Sequence, residues 1–437
     1  MLRKSLIVSA VSLIVIGGFV AATAPAFAAS REQVLYSFHG SDGSLPYSGS
    51  LIFDQRGNLY GTTVNGGAYS GGACSDGCGT VFKLSPAANG KWSETVLYRF
   101  CTEGGPVCPD GALPYGGLIF DSAGNLYGTT ELGGTYTLGT VFELTRGAKG
   151  KWTEAVLHSF GAGFDGAAPE AGVVMDAAGN LYGTTPSGGT DWSGCEGPCG
   201  TVFGLQRGEN GQWTYQVLHN FTDNGTDGFW PYAGLIVDGS GNLYGTTEAG
   251  GPSGFGTVFE LTPQGVETIL YSFDYNDGSG VLSNVMFDAK GNLYGMTTWG
   301  GAFQNGTIFE LIPGREGWTQ KTLHSFHQYR SPDSGLILDA SGNLYGTTQA
   351  GGYYHSENDC YDMFLGACAG TAFELKPGAD GEWIETALYS FGRAGDGRAP
   401  TGSLVFDAAG NLYGTTVIGG TGQCTKIGCG TVFEITP

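Results

Sequence analysis

The residues of this chain whose spacing could do chemistry are carboxylates. Asp42, Asp110, Asp165, Asp227 and Asp396 each open an Asp-Gly-x-x-Pro segment, and Asp277 opens a sixth in which Val281 replaces the proline. Six side chains of one kind at one repeated place could form a ring that binds Ca2+, a hard cation that takes roughly six to eight oxygen ligands. The same ring could bind a substrate. The competing reading is a turn in which each carboxylate accepts hydrogen bonds from its own backbone and the glycine supplies a positive φ. A further repeat, Ser331-Pro332-Asp333-Ser334-Gly335, lacks the Asp-Gly, so any ring is incomplete.

The residue after the proline varies where its surroundings do not: Tyr47, Tyr115, Glu170, Tyr232, Asp333 and Thr401, with Leu282 in the repeat that lacks the proline. Three tyrosines with Glu170 and Asp333 could line a polar, aromatic pocket that holds sugars by ring stacking and hydrogen bonding. Alternatively, these aromatics are lids on hydrophobic cores. Trp192, Trp230 and Trp299 fall in neighbouring loops and could be exposed for contact, whereas Trp92, Trp152, Trp213, Trp318 and Trp383 open short strands and belong in the core. His158, His219 and His324 stand where other repeats carry Tyr36, Tyr98, Tyr271 and Tyr389, which is a structural place. His355, Glu357 and Asp359 alternate in one long loop as metal-capable side chains, and a solvated loop is the simpler expectation. The chain has no His-Glu-x-x-His zinc helix, no Gly-x-Ser-x-Gly elbow and no cluster of arginines for a substrate carboxylate. Carboxylate pairs that cleave glycosides are defined by a separation of roughly 5–10 Å, a property of the fold.

The elements that must position these groups follow from a repeat. Gly-Asn-Leu-Tyr-Gly-Thr-Thr begins at Gly57, Gly124, Gly179, Gly241, Gly342 and Gly410, and a seventh copy at Gly291 has Met296 for the first Thr. Around each copy lie four short β-branched or aromatic runs bounded by Gly, Asn, Asp or Pro, which read as antiparallel strands A to D. Seven units of roughly 58 residues fit the four-stranded blades of a β-propeller. Strand A is apolar on both faces, as in Gly117-Leu118-Ile119-Phe120, and suits the innermost place; strand D alternates and suits the outer one. The D–A and B–C loops would then share one face, and the Asp-Gly carboxylates would stand around its axis. The seven A–B turns all read Asp-x-x-Gly-Asn, so Asp54 and its six counterparts are scaffold.

Closure is expected from the two ends. Val34–Phe38 is a lone D-type strand, and Gly430–Ile435 is a C-type strand with no D strand after it. Joining them would complete the last blade and remove the open edges of a linear array. The pattern Asp-x-x-Gly-Asn-Leu-Tyr-Gly-Thr-Thr…Gly-Gly…Gly-Thr-Val-Phe resembles the GloVer tandem repeat of exported bacterial proteins, over about residues 34–437. It is more distantly similar to the Gly-Asn-Leu-Trp repeats of regulator-sensor propellers and to NHL repeats. The resemblance implies the fold and carries no catalytic residue with it.

Met1-Leu2-Arg3-Lys4, the apolar stretch from Leu6 to Val20 and Ala26-Phe27-Ala28 read as a signal peptide over residues 1–28, with one propeller domain over 29–437. The mature chain is expected outside the cytoplasm, periplasmic or extracellular, as a monomer with no membrane span. Losing Arg3 and Lys4 leaves 17 basic against 40 acidic residues, a formal charge of −23, which disfavours nucleic acid and anionic membranes. The ten cysteines fall into five close couples, Cys74–Cys78, Cys101–Cys108, Cys195–Cys199, Cys360–Cys368 and Cys424–Cys429, expected as local disulfides. Together these features point to a non-enzymatic binding or surface-structural propeller. Its expected ligand is a neutral polysaccharide or an extracellular protein on the D–A/B–C face. A glycan hydrolase or lyase using paired carboxylates there is the alternative.

Overall fold

The computed structural model describes residues 30–437 except 68–73, 89, 103–106, 162–163, 191–194, 196, 328–329, 353–368 and 425–427. The signal-peptide segment, Trp192, the 355–359 loop and Cys360–Cys368 therefore lie outside the described residues. Seven four-stranded antiparallel sheets form the blades. In blade 1 the strands run A, Ile52–Phe53; B, Leu59–Thr63; C, Thr80–Pro86; and D, Trp92–Arg99, neighbours in that order. Blade 7 takes its outer strand from the start of the chain: Arg31–Ser37 pairs with Thr431–Thr436, Val34 opposite Phe433. The ring is closed as expected, by main-chain hydrogen bonds between the two ends.

Each letter of the repeat has a physical task, seen in blade 1. Asp54 Oδ1 accepts the Arg56 and Asn58 amides at 2.8 and 2.9 Å, and Oδ2 accepts Asn58 Nδ2 at 2.7 Å and the Tyr60 hydroxyl at 3.0 Å. Gly57 turns the chain at φ +76°. These donors hold the Asp54 carboxyl below its usual range although burial opposes them. Leu59 is wholly buried. A Cβ on Gly61 would lie 2.7 Å from the Phe82 ring, so only glycine lets the two inner strands close on that aromatic. Thr62 Oγ1 donates to the Gly116 carbonyl of the next blade at 3.0 Å, and Thr63 Oγ1 pairs with Thr80 Oγ1 at 2.9 Å. Phe38, Phe82, Phe100, Phe142 and their counterparts form edge-to-face contacts from blade to blade near 5 Å, which is the hydrophobic seam of the ring.

At the axis seven A strands converge, and size decides which residues fit. A Cβ on Gly116 would meet the Gly172 nitrogen at 2.4 Å, and one on Gly172 would meet the Gly117 carbonyl oxygen at 2.4 Å. The face above the axis is built from D–A and B–C loops that bridge one another, as Ser44 with Asn65, Ala112 with Leu132 and Gly228 with Gly250. Cys74–Cys78, Cys101–Cys108, Cys195–Cys199 and Cys424–Cys429 are local disulfides in these loops. The carbonyls of Cys78, Cys199 and Cys429 accept the amides of Leu113, Trp230 and Leu45 from the following blade at 2.9–3.0 Å. A bridge that fixes one loop thereby positions the next. No helix among the described residues is long and apolar enough to cross a membrane.

Candidate functional site: the mouth of the central channel

The small A-strand residues leave a cavity of about 260 Å³ on the axis. Its walls are the inner backbones, from Ser48 and Ser50 through Gly116, Gly172, Gly234 and Gly335 to Ser403; Glu170, Tyr232, Leu282, Asp333 and Thr401 also line it. Five residues that follow the proline, or its counterpart, are thus brought together by ring closure. Tyr47 and Tyr115 stand beside them, their rings 5.4 Å apart and edge to face. Thr401 Oγ1 donates to the Tyr47 carbonyl at 2.9 Å, which ties blade 7 to the entry of blade 1. Tyr47 keeps 36% of its surface exposed.

The mouth is acidic, and its carboxyls are largely buried. Burial, with Glu131 and Glu248 close by, pushes the Glu170 carboxyl up to about 7. Burial also raises Glu131 and Glu248, the latter with help from Asp333. Asp333 is itself pushed up by burial, against hydrogen bonds from Thr298 Oγ1 and Ser331 Oγ, each at 2.9 Å. The same carboxyls raise the phenols: burial, Asp333 and Glu170 push Tyr47 up to about 12, and burial, Glu170 and Glu248 do so for Tyr232. Tyr115 is raised by burial, Glu131 and Glu170. Glu131 and Glu248 were not among the sequence candidates. They follow the Gly-Thr-Thr of their blades, where others carry Val64, Pro186, Thr298, Gln349 and Val417. A variable place beside an invariant motif was the signal that could have found them.

The remaining candidates lie elsewhere. Trp230 does not line the cavity; it is half-buried at φ +59°, edge to face with Phe229 at 5.0 Å and packed beside Cys195 and Cys199. Trp299 is 38% exposed and covers Gly280, where a Cβ would lie 2.3 Å from its ring. The Asp-Gly carboxylates do not ring the axis, which corrects the sequence expectation. Each turns to the outermost strand: Asp110 accepts the Tyr98 hydroxyl and the Cys101 amide, both at 2.9 Å, and Asp396 accepts the Tyr389 hydroxyl at 2.9 Å. Asp42 and Asp277 accept Tyr36 and Tyr271, while Asp165 and Asp227 face His158 at 3.0 Å and His219 at 3.2 Å. The physical reason is that the aromatic residue of strand D and the Asp-Gly turn are only six to twelve residues apart, so they meet locally. Among the described residues no group of these six forms a shared cation site.

Comparison with solved structures places the chain among propellers. It is similar, at 12% identity and TM-score 0.53, to the extracellular domain of a one-component system from B. thetaiotaomicron, with 92% of this chain covered and 40% of that one. Two gluconolactonase structures align less closely, one at 13% identity and TM-score 0.40 over 93% of this chain and 92% of that one. The other, from Xanthomonas campestris, aligns at 14% and 0.39 over 75% and 86%. No curated protein matches. The family description "Gloeobacter/Verrucomicrobia repeat" matches residues 25–195, 72–286 and 192–358. With that match over most of its length and a closed seven-bladed ring of the same repeat, the chain belongs to the Gloeobacter/Verrucomicrobia repeat family.

Proposed function

We propose that this protein is an extracellular binding propeller that takes a neutral saccharide, as a single ring or a chain end, at the channel mouth. The observation that carries the reading is that Tyr232 and Glu170 line one cavity while Tyr47 and Tyr115, close enough to Glu170 to feel its charge, pair edge to face beside it. Tyrosine rings offer stacking faces, and their hydroxyls both donate and accept. Glu170, titrating near 7, presents a protonated donor in part of the population and an acceptor in the rest. At about 260 Å³ the cavity lies at the small end of ligand pockets, which suits one ring rather than a long segment. The surplus of carboxyls disfavours polyanions. Four local disulfides suit an oxidising, extracytoplasmic setting.

One observation favours a second reading. Glu170 carries a carboxyl raised by burial beside Glu131 and Glu248, and a carboxyl held protonated by burial is what the general acid of glycan cleavage needs. A glycan and cell-wall-polymer array probed with wild type, Tyr115→Ala and Glu170→Gln separates the two. Binding lost in both variants without change in melting supports the binding site. New reducing ends that appear with wild type and not with Glu170→Gln support cleavage. Binding that survives both substitutions, or no binding at all, overturns the assignment.

A further inference from the structure

The outer rim carries a second constellation, far from the channel in the order of strands. Six of the seven joints between blades are built from three places: the Tyr or His of one D strand, the Asp-Gly carboxylate after it, and a residue of the next D strand opposite the conserved C-strand Leu or Ile; the joint after His324 lacks the Asp-Gly. Register fixes that third place as Glu94 opposite Leu84, Glu154 opposite Leu144, Tyr215 opposite Leu205, Glu267 opposite Leu261 and Gln320 opposite Leu311. Most joints combine Tyr, Asp and Glu, as Tyr98, Asp110 and Glu154, or lack one acid, as His158, Asp165 and Tyr215. The joint between blades 3 and 4 alone combines a histidine with both acids: His219, Asp227 and Glu267.

Their geometry is that of an open metal site. His219 Nε2 lies 3.2 Å from Asp227 Oδ2 and 3.7 Å from Glu267 Oε2, and one ligand atom from each residue lies within 4.8 Å of the others. Donors at roughly 2.0–2.2 Å around a tetrahedral zinc are separated by about 3.3–3.6 Å, so small shifts would seat an ion. Asp227 is 7% exposed, and although its Oδ2 accepts the Thr222 amide at 3.0 Å and the Thr222 hydroxyl at 3.2 Å, its Oδ1 is buried with no hydrogen-bond partner. Glu267 Oε1 is buried and unpartnered as well, as is Oε1 of Glu32, Glu94, Glu154 and Glu385 at the sibling joints, so Asp227 Oδ1 is what sets this joint apart among the described residues. The three line a cleft of about 390 Å³ with Thr222, Asn224 and Thr226, which leaves room for water in a fourth position.

We propose that His219, Asp227 and Glu267 bind one Zn2+ ion that clasps blade 3 to blade 4. One imidazole nitrogen with two carboxylates is a donor set suited to zinc and poor for Ca2+, which prefers all-oxygen sites. The ion neutralises two carboxylates held together at the joint. The described disulfides all lie within single loops, so this would be a cross-link between blades of a kind they do not supply.

The test uses the mature chain without a histidine tag, stripped with chelator and titrated with Zn2+ by calorimetry near pH 7.5. His219→Tyr installs the side chain used at the sibling joints, where the hydroxyl donates to the same aspartate, so the fold should be kept. Glu267→Gln installs the residue found at the next joint. One ion per chain is expected, with Kd about 1 µM or tighter and at least about 100-fold weaker binding in either variant. Zinc should raise the Tm of wild type and leave both variants unmoved, and Co2+ substituted at the site should show tetrahedral visible absorption. Absence of stoichiometric binding, or binding unchanged by His219→Tyr, overturns the proposal.

Discussion

Raising the pH from about 5 to 8.5 should weaken the joint between blades 1 and 2, and Glu154→Gln should remove that part of the loss. Glu154 lies near Asp110 across the joint; burial first, then the charge of Asp110, pushes its carboxyl from 4.5 up to about 8. Its Oε1 is buried without a partner. A carboxyl raised in the folded state binds its proton more tightly there than in the unfolded chain. Its contribution is therefore fully present below about 4.5 and lost as the pH climbs through about 8. A shift of this size corresponds to about 5 kcal/mol unscreened, and because the group is only partly buried we expect about 2 kcal/mol. Glutamine fills the same space and carries no charge at any pH. Thermal unfolding of wild type and Glu154→Gln, followed by circular dichroism across that range, should show the variant gaining a few degrees relative to wild type as the pH rises. Glu94 and Glu32, each raised to about 7, make wild type fall in both backgrounds, so the difference between the two proteins is the informative quantity. A difference that does not change with pH would refute the reasoning.

Three further outcomes are expected. Deleting residues 30–38 removes the partner of Thr431–Thr436 and should cause aggregation or a Tm far below that of the parent, measured by light scattering and calorimetry; a truncated protein that melts like the parent contradicts closure by that strand. Peptide mapping without reductant should recover Cys74–Cys78 and Cys101–Cys108 as separate bridges although Cys78 and Cys108 sulfurs lie only 4.0 Å apart, and Cys195→Ala with Cys199→Ala should cost less than the ~3 kcal/mol of a 15-residue loop in urea unfolding. Asp54→Ala strips two backbone amides and two side-chain donors of their acceptor and should cost about 1–3 kcal/mol in the same assay, while an unchanged midpoint would deny the turn its structural role.

The architecture was legible in the amino-acid sequence because its causes are local and repeated. An Asp-x-x-Gly-Asn turn satisfies its own backbone, as at Asp54, a Gly-Thr-Thr strand admits the Phe of its neighbour, as at Gly61, and both act alike in seven blades. Four of the cysteine couples could be paired for the same reason, since loops of four to seven residues bring the sulfurs together without help from the rest of the fold. The spare strand at one end and the missing strand at the other dictated closure, because an open edge is costly wherever it falls. Tertiary structure alone decided which side chains meet across blades. The Asp-Gly carboxylates could as well have faced the axis, and they turned outward because a D-strand hydroxyl or imidazole lies within reach. Glu131, Glu170, Glu248 and Asp333 come from four different blades, and only the ring brings Glu131 and Glu248 close enough to help raise Glu170, and Asp333 close enough to help raise Glu248. His219 and Glu267 are likewise 48 positions apart, and their approach to 3.7 Å depends on how one blade is rotated against the next, a quantity that strand periodicity and turn chemistry leave open.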